Sequence, residues 1–186
     1  KHNLVYKNDD LFNANIFYLP YHNMPDDKII LEALSNTLSN IKGIVVNDFS
    51  INKKTISPSN NDHLKVGICS EFLRESHVVG RLFIRVLWDL LKTDLEITVY
   101  VPPKTKQFAD FEIIKKNFKR VVYLPKSPTE AKKEIIKDNL DVLFYPDIGM
   151  SNYTYLLTLS RLALVQVTTF GHPNTSGCHE IDYYIT

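Results

Sequence analysis

The sequence predicts an α/β domain with a Rossmann-like, mostly parallel, doubly wound sheet. Short apolar runs typical of strands alternate with amphipathic helical stretches at least four times after residue 63. The chain has 186 residues, of which 44% are hydrophobic and 23% charged, so one domain of ordinary size can bury a core. Right-handed crossovers between parallel strands then place helices on both faces of the sheet. The pattern does not give the order of the strands.

Strands and helices are predicted in order from the spacing of apolar residues. The strands are expected at 64–69, 95–101, 121–124, 142–145, 164–168 and 181–185. The helices of this part of the chain are expected at 78–92, at 108–118, from Ser127 to a last apolar position at Leu140, and at 152–161. Ser127 precedes Pro128 and Glu130, which is typical of a capped helix start.

The predicted sheet is preceded by a different kind of sequence. Residues 1–47 form a partly helical amino-terminal segment, because Asp26-Asp27 opens a run of apolar positions at helical spacing that stops at Gly43. Residues 48–62 are rich in Asn, Ser, Lys and Pro and are interpreted as a linker. The Rossmann-like domain is then expected to occupy residues 63–186.

Composition excludes some classes of partner. The net charge of +1 gives no electrostatic reason to expect nucleic acid or an anionic membrane as a partner. No stretch approaches the roughly 18 apolar residues of a membrane-spanning helix. The two cysteines form no CxxC pair, and Cys69 is expected to be a small core residue. These features fit a reducing compartment, and we expect a cytoplasmic protein.

Three loops follow predicted strands and are expected to meet at one edge of the sheet, where α/β proteins bind ligands. They are residues 70–81, 146–151 and 170–177. His77 lies just before a helix, whose dipole disfavours a positive ring. A neutral His77 can accept a proton in catalysis. The alternative is that His77 only caps the helix or is merely exposed.

The loop from Gly171 to Gly177 combines glycine with small hydroxyl residues. Such loops approach phosphates or sugars closely, although an ordinary tight connection between strands has the same composition. The chain has neither a GxGxxG fingerprint after its first strand nor a GxxxxGK[ST] phosphate loop. His172, Cys178 and His179 match no common zinc spacing, and we expect no metal.

Several of these residues carry a resemblance to a known family. Tyr145–Met150 (YPDIGM), Leu159–Gln166 (LSRLALVQ), Gly171–Gly177 (GHPNTSG) and Ile181–Tyr183 (IDY) follow one another in this order. Together they resemble the O-GlcNAc transferase family, including its bacterial relatives and the cytoplasmic N-glucosyltransferases that modify adhesins. A second block, with Val66–Ser70 and His77–Leu82, resembles an earlier part of that pattern, although one more residue precedes the histidine here.

The resemblance implies the amino-terminal, acceptor-side domain of an inverting GT-B glycosyltransferase that needs no cofactor and no metal. Such an enzyme transfers GlcNAc or another hexose from a UDP-sugar to Ser, Thr or Asn of a protein or peptide. We expect the donor-binding domain to lie beyond Thr186, so that the isolated chain is inactive. His77 is carried over as the catalytic residue. The substrate-binding candidates are Asp147, Gly149, Phe170, Gly171, His172, Pro173, Thr175, Ser176 and Gly177.

Other functions stay open beside this one. A non-catalytic Rossmann-like module that binds a ligand or a protein has the same sequence pattern. A nucleotide-binding oxidoreductase domain is less favoured, because the dinucleotide fingerprint is missing. Neither the sugar nor the choice between a hydroxyl and an amide acceptor follows from the sequence.

Overall fold

The computed structural model describes residues 26–46, 63–105, 111–172 and 174–186. Six strands lie in these ranges, and they are β1 (Lys65–Cys69), β2 (Glu96–Val101), β3 (Arg120–Tyr123), β4 (Leu140–Tyr145), β5 (Ala163–Thr169) and β6 (Tyr183–Ile185). They form one sheet in which every neighbouring pair is parallel. The predicted fold class is therefore confirmed.

The order of the strands is β3-β2-β1-β4-β5-β6. The chain moves outward from β1 to β3, returns to pair β4 with β1, and then moves outward in the opposite direction. Ile68 lies opposite Val99 on one side and opposite Phe144 on the other. In a doubly wound sheet the loops that follow the two central strands separate here and leave a crevice, which is the usual place for a ligand.

Helices cover both faces of the sheet. In the described ranges they are α1 (Asp27–Ser39), α2 (Val78–Leu90), α3 (Phe111–Asn117), α4 (Pro128–Ile136) and α5 (Asn152–Thr158). Phe83 of α2 and Ile114 of α3 pack in one apolar cluster, whereas Leu31 of α1, Ile135 of α4 and Leu156 of α5 pack in another. The first residues predicted for α3, 108–110, lie outside the described part of the chain.

The end of α4 differs from the prediction. Leu140 was expected on the apolar face of this helix, but it is the first residue of β4 and pairs with Ala163. Asn139 has φ 46°, in the left-handed region that asparagine tolerates better than most residues. Its backbone N–H donates to Ile136, and the helix ends there. Helical spacing alone could not detect this stop.

Helix α1 packs on the same core as the sheet. Leu31 and Leu38 are buried beside residues of α4, α5 and β4. Asp26 caps α1 by accepting from the Lys28 amide at 3.0 Å. Residues 47–62 lie outside the described part of the chain, as do residues 1–25. The division into an amino-terminal segment, a linker and a domain therefore stays a prediction.

The segment after α1 is held by side chains of α4. The Thr129 hydroxyl donates to the Gly43 carbonyl at 2.8 Å, and the Lys132 ammonium donates to the Ile44 carbonyl. Lys132 has no exposed surface, and burial lowers its pKa to about 7. These two bonds fix the chain that follows α1 against the domain.

Both cysteines of the chain are buried free thiols. Cys69 ends β1 with no exposed surface, as the sequence predicts. Cys178 lies in the cluster that includes α1, within 3.2 Å of the Thr158 hydroxyl. Burial is the main cause that raises the pKa of each thiol. In the described ranges, no helix is long and apolar enough to cross a membrane.

Candidate functional site

The loops after β1, β2 and β4 meet at the carboxyl edge of the sheet. A carboxylate oxygen of Asp147 accepts from the Glu71 amide at 3.2 Å. The hydroxyl of Thr105, after β2, donates to the Glu71 carbonyl at 3.3 Å. Both peptide groups of Glu71 are therefore held by neighbouring loops. Sequence reasoning did not single out Glu71 or Thr105, because their partners lie in loops that follow other strands.

The loop after β5 touches the loop after β4. A Cβ atom at Gly171 would lie 1.8 Å from the Pro146 carbonyl oxygen, so only glycine allows this approach. Phe170 is about half exposed, and its ring centroid lies 5.7 Å from that of Phe83 on α2. The structure thus brings Asp147, Phe170 and Gly171 to one edge, as expected from the strand assignment.

His77 is the N-cap of α2. Its Nδ1 accepts from the Val79 amide at 3.2 Å, which confirms the helix-capping interpretation. The ring also packs on Phe72, with centroids 4.5 Å apart. Burial, followed by the positive charges of Arg74 and Arg81, lowers the pKa of His77. The ring is therefore neutral near pH 7.

The cap also sets the tautomer of that neutral ring. Because Nδ1 of His77 is an acceptor, the proton of the neutral imidazole lies on Nε2. In this arrangement His77 offers an N–H donor at Nε2. It can polarise or orient an oxygen atom of a substrate, whereas proton abstraction would need the nitrogen that the cap already occupies.

Asp147 and Gly149 have structural roles in the loop after β4. Asp147 has no exposed surface, and burial raises the pKa of its carboxyl group to about 7, although the hydrogen bond from the Glu71 amide opposes this rise. Gly149 has φ 102°, and the Met150 amide donates to the Asp147 carbonyl at 3.1 Å. These residues therefore form a tight turn that supports the carboxyl edge of the sheet. The Asp147 carboxyl group lies inside the protein and is not exposed to solvent.

The loop predicted as one unit, 171–177, divides into two parts. Gly171 faces the β4 loop, whereas Gly177, with φ 64°, lies against α1, where a Cβ would be 2.4 Å from the Leu31 carbonyl carbon. Thr175 and Ser176 accept from the amides of Gly177 and Cys178. These residues line a pocket of about 240 Å³ together with α1 and β6.

His172 lies between these two parts. Its Nδ1 accepts from the Asn174 amide at 3.4 Å, and its carbonyl accepts from the Tyr184 hydroxyl at 3.4 Å. Burial lowers the pKa of His172. Pro173 lies outside the described part of the chain. In that part, no three His, Cys, Asp or Glu side chains come together in a way that could hold a metal ion.

Other residues of the family-like pattern form a structural network. Gln166 on β5 is completely buried, and its side chain bonds Leu162 N at 2.9 Å, Ser160 O at 3.2 Å and Glu180 O at 2.8 Å. Arg161 pairs with Glu180 and with Asp182. The residues that the resemblance singles out are thus partly those that attach β6 to the sheet.

These features define a Rossmann-like α/β domain whose candidate site lies at the carboxyl edge of the sheet, beside the crevice between β1 and β4. No protein-family model matches the chain, and no curated protein matches it in sequence.

Among solved structures, a variant of the Thermobaculum terrenum O-GlcNAc transferase has the same fold, with a TM-score of 0.69 and 20% sequence identity. The alignment covers 90% of this chain and 32% of that protein, so the chain spans about a third of its length. The structural neighbour is a GT-B glycosyltransferase. The likeness supports the resemblance at the level of the fold.

Proposed function

We propose that this chain is the acceptor-side domain of an inverting glycosyltransferase. The enzyme would transfer GlcNAc or another hexose from a UDP-sugar to Ser, Thr or Asn of a protein or peptide. The observation that carries the proposal is the fold shared with an O-GlcNAc transferase over 90% of the chain. The reaction would need no metal, as the family resemblance implies, and it would take place in the cytoplasm, as the two unpaired cysteines suggest.

In the proposed reaction the acceptor oxygen or nitrogen attacks the anomeric carbon of the sugar while UDP leaves from the opposite side. The bond between the anomeric carbon and the diphosphate oxygen breaks, UDP leaves with that electron pair, and the acceptor's proton passes to a phosphate oxygen of UDP or to water. This domain would contribute positioning. Phe170 offers an apolar surface, and Gly171 lets the backbone approach a sugar. The Nε2–H of neutral His77 would donate to an oxygen of the donor or acceptor.

The role of His77 is testable because capping and catalysis can be separated. In the whole native protein, His77→Ala should lower kcat/KM for transfer by roughly 10²-fold or more, because it removes the Nε2–H donor. His77→Ser keeps an oxygen that can cap α2 and removes Nε2. We expect His77→Ser to lose activity like His77→Ala but to melt within a few degrees of the wild type. Near-normal transfer by His77→Ser would leave His77 with the capping role alone.

The isolated chain is expected to be inactive. The loops at its carboxyl edge supply a surface for the acceptor and for the sugar, whereas the groups that stabilise a leaving diphosphate are expected in a second domain. Purified chain incubated with a peptide acceptor and either UDP-GlcNAc or UDP-glucose should give no glycosylated peptide by mass spectrometry. Detectable transfer would contradict the assignment of the diphosphate-stabilising groups to a second domain.

A non-catalytic binding module is the second candidate. The observation in its favour is that His77 caps a helix and that Asp147 is fully buried. Two candidate residues therefore have structural roles that explain their presence without catalysis. The whole native protein discriminates between the two functions. Peptide binding without transfer from any UDP-sugar would favour the module, whereas transfer that is lost in His77→Ser would favour the enzyme.

A further inference from the structure

Helix α2 carries a row of exposed apolar side chains. Val78, Leu82 and Val86 follow one another at four-residue spacing and are 59%, 49% and 48% exposed. Residues four apart lie on one face of a helix, so the three side chains form a continuous ridge. The opposite face of α2 is buried in the core through Phe83 and Leu87. The helix is therefore apolar on two faces, of which the sheet covers one.

Positive charge lies beside this ridge. Arg81 and Arg85 are exposed on α2 and alternate with the apolar positions. Within the described residues, neither guanidinium forms an ion pair. The acidic residue of the same helix, Asp89, is bonded to Lys92 at 2.6 Å; this bond is the main cause that lowers the pKa of Asp89, and the charge of Arg85 is a smaller one. The surface made by Val78, Arg81, Leu82, Arg85 and Val86, here called the α2 ridge, is thus apolar with a positive border on one side.

The shape and charge of the α2 ridge restrict what it can bind. A row of side chains four residues apart fits the groove between side chains of a second helix. A second copy of this chain is a poor occupant, because it would bring the arginines of both ridges together. Arg81 and Arg85 lie on the same side of the α2 ridge, so acidic side chains along one side of an apolar row would instead meet them with opposite charge.

We propose that the α2 ridge is a docking surface for a partner protein, which binds through an amphipathic helix with acidic residues along one side of its apolar face. Recognition is of the helix-against-helix kind, with apolar residues of the partner at spacings of three and four. Because Val78 directly follows His77, the docked helix begins beside the candidate site. The proposal holds whether or not the domain belongs to an enzyme.

The test uses the full chain and two labelled synthetic peptides. Both are helical with leucine at three successive i, i+4 positions, and they differ only in whether glutamate or lysine borders the leucine row. Fluorescence polarisation should give a Kd on the order of 10–100 μM for the acidic peptide and at least tenfold weaker binding for the basic one. Leu82→Glu should weaken binding of the acidic peptide at least tenfold. Arg81→Ser with Arg85→Ser should weaken it several-fold and reduce its dependence on salt.

Ile29→Glu provides the matched control. Ile29 is 64% exposed on α1, which packs with the cluster on the other face of the sheet, so this variant should bind like the wild type. Thermal melts of all variants should agree within a few degrees, since every changed side chain is exposed. Equal binding of both peptides, binding unaffected by Leu82→Glu, or no binding at ~1 mM peptide would each overturn the proposal. A dimer of the chain that Leu82→Glu dissociates would overturn it in favour of a second copy.

Discussion

Asp147 is a single buried carboxyl group that connects two loops at the carboxyl edge of the sheet. It has no exposed surface, and its carboxylate holds the Glu71 amide of the neighbouring loop. A buried ionised carboxylate is costly unless hydrogen bonds compensate it. The rise of its pKa to about 7 shows that burial outweighs that compensation. Asp147 therefore lowers the stability of the folded protein at neutral pH. In return, its hydrogen bond with the Glu71 amide fixes the loops after β1 and β4 relative to each other.

This balance predicts a pH-dependent effect of Asp147→Asn. The folded-state pKa of about 7 lies above the usual value of 3.8, so the folded protein binds this proton more tightly than the unfolded chain does. The contribution of Asp147 to stability is complete below the unfolded pKa and is lost as the pH rises through about 7. Asparagine cannot ionise, and the variant should melt ~5 °C above the wild type at pH 8.

The same measurement near pH 4 should show little difference between Asp147→Asn and the wild type, because the carboxyl group is then neutral in the folded protein. Glu75→Gln removes a carboxylate from the exposed surface of the adjacent loop and is the matched control, with a melting temperature close to that of the wild type at pH 8. A stabilisation by Asp147→Asn that is equal at both pH values would contradict the argument.

Among the secondary-structure elements, β6 is held in the sheet by side-chain hydrogen bonds as well as by its backbone pairing with β5. It has three residues, all exposed, and pairs with β5 alone among the described strands. The side chain of Gln166 bonds backbone groups before β5 and before β6. Its backbone N–H donates to the Asp182 carboxylate at 2.8 Å. This buried network compensates for the little apolar area that so short a strand can bury.

Gln166→Leu should therefore destabilise the protein despite its similar volume. The substitution leaves the Leu162 amide and two carbonyl groups without their side-chain partner, and the expected loss is ~2–4 kcal/mol in the free energy of unfolding. Urea unfolding followed by circular dichroism measures it. Tyr183→Thr, at a 63% exposed position of β6, should change that free energy by less than ~1 kcal/mol. Similar losses in both variants would show that the network adds nothing beyond the strand itself.

The strands and helices could be predicted from the sequence, because each one is indicated by the spacing of apolar residues within a short stretch of chain. All six strands and the helices after residue 63 were expected within a few residues of their observed positions. Leu140 was misassigned because the left-handed backbone at Asn139 ends α4, and apolar spacing does not report backbone angles. The order of the strands could not be read, since pairing of β4 with β1 joins residues far apart in sequence.

The candidate site was predictable only in part, for the same reason. That Asp147 and Gly171 lie at one edge follows from the strand ends. The separation of Gly177 from Gly171 follows from contact with Leu31, a residue of an element that the sequence assigned to another segment. The acceptor role of Nδ1 in His77 depends on the exact start of α2, which spacing gives only within a few residues.

At the scale of the molecule, α1 is part of the core that stabilises the sheet. Leu31 has no exposed surface and lies in one apolar cluster with residues of α4, α5 and β4. Its backbone also leaves no room for a Cβ at Gly177, in the loop before β6. A helix that packs this closely is expected to unfold together with the sheet rather than before it.

Leu31→Ala tests this cooperativity. Loss of the buried side chain should cost ~2–5 kcal/mol and lower the melting temperature of the whole protein in a single transition. Calorimetry and far-UV circular dichroism should agree on that transition. Ile29→Ala, on the exposed face of the same helix, should melt like the wild type. A separate low-temperature transition in Leu31→Ala would instead identify the amino-terminal segment as an independent unit.

The burial of Cys69 and Cys178 has a practical consequence for spectroscopy. Thiols react as thiolates, and both of these are enclosed with pKa values raised by burial, so maleimide reagents will react with them slowly in the folded protein. A cysteine introduced at an exposed position such as Ile29 would then be the preferred site of labelling. Fluorescent or spin labels could thus be attached at one chosen point without first removing the native thiols.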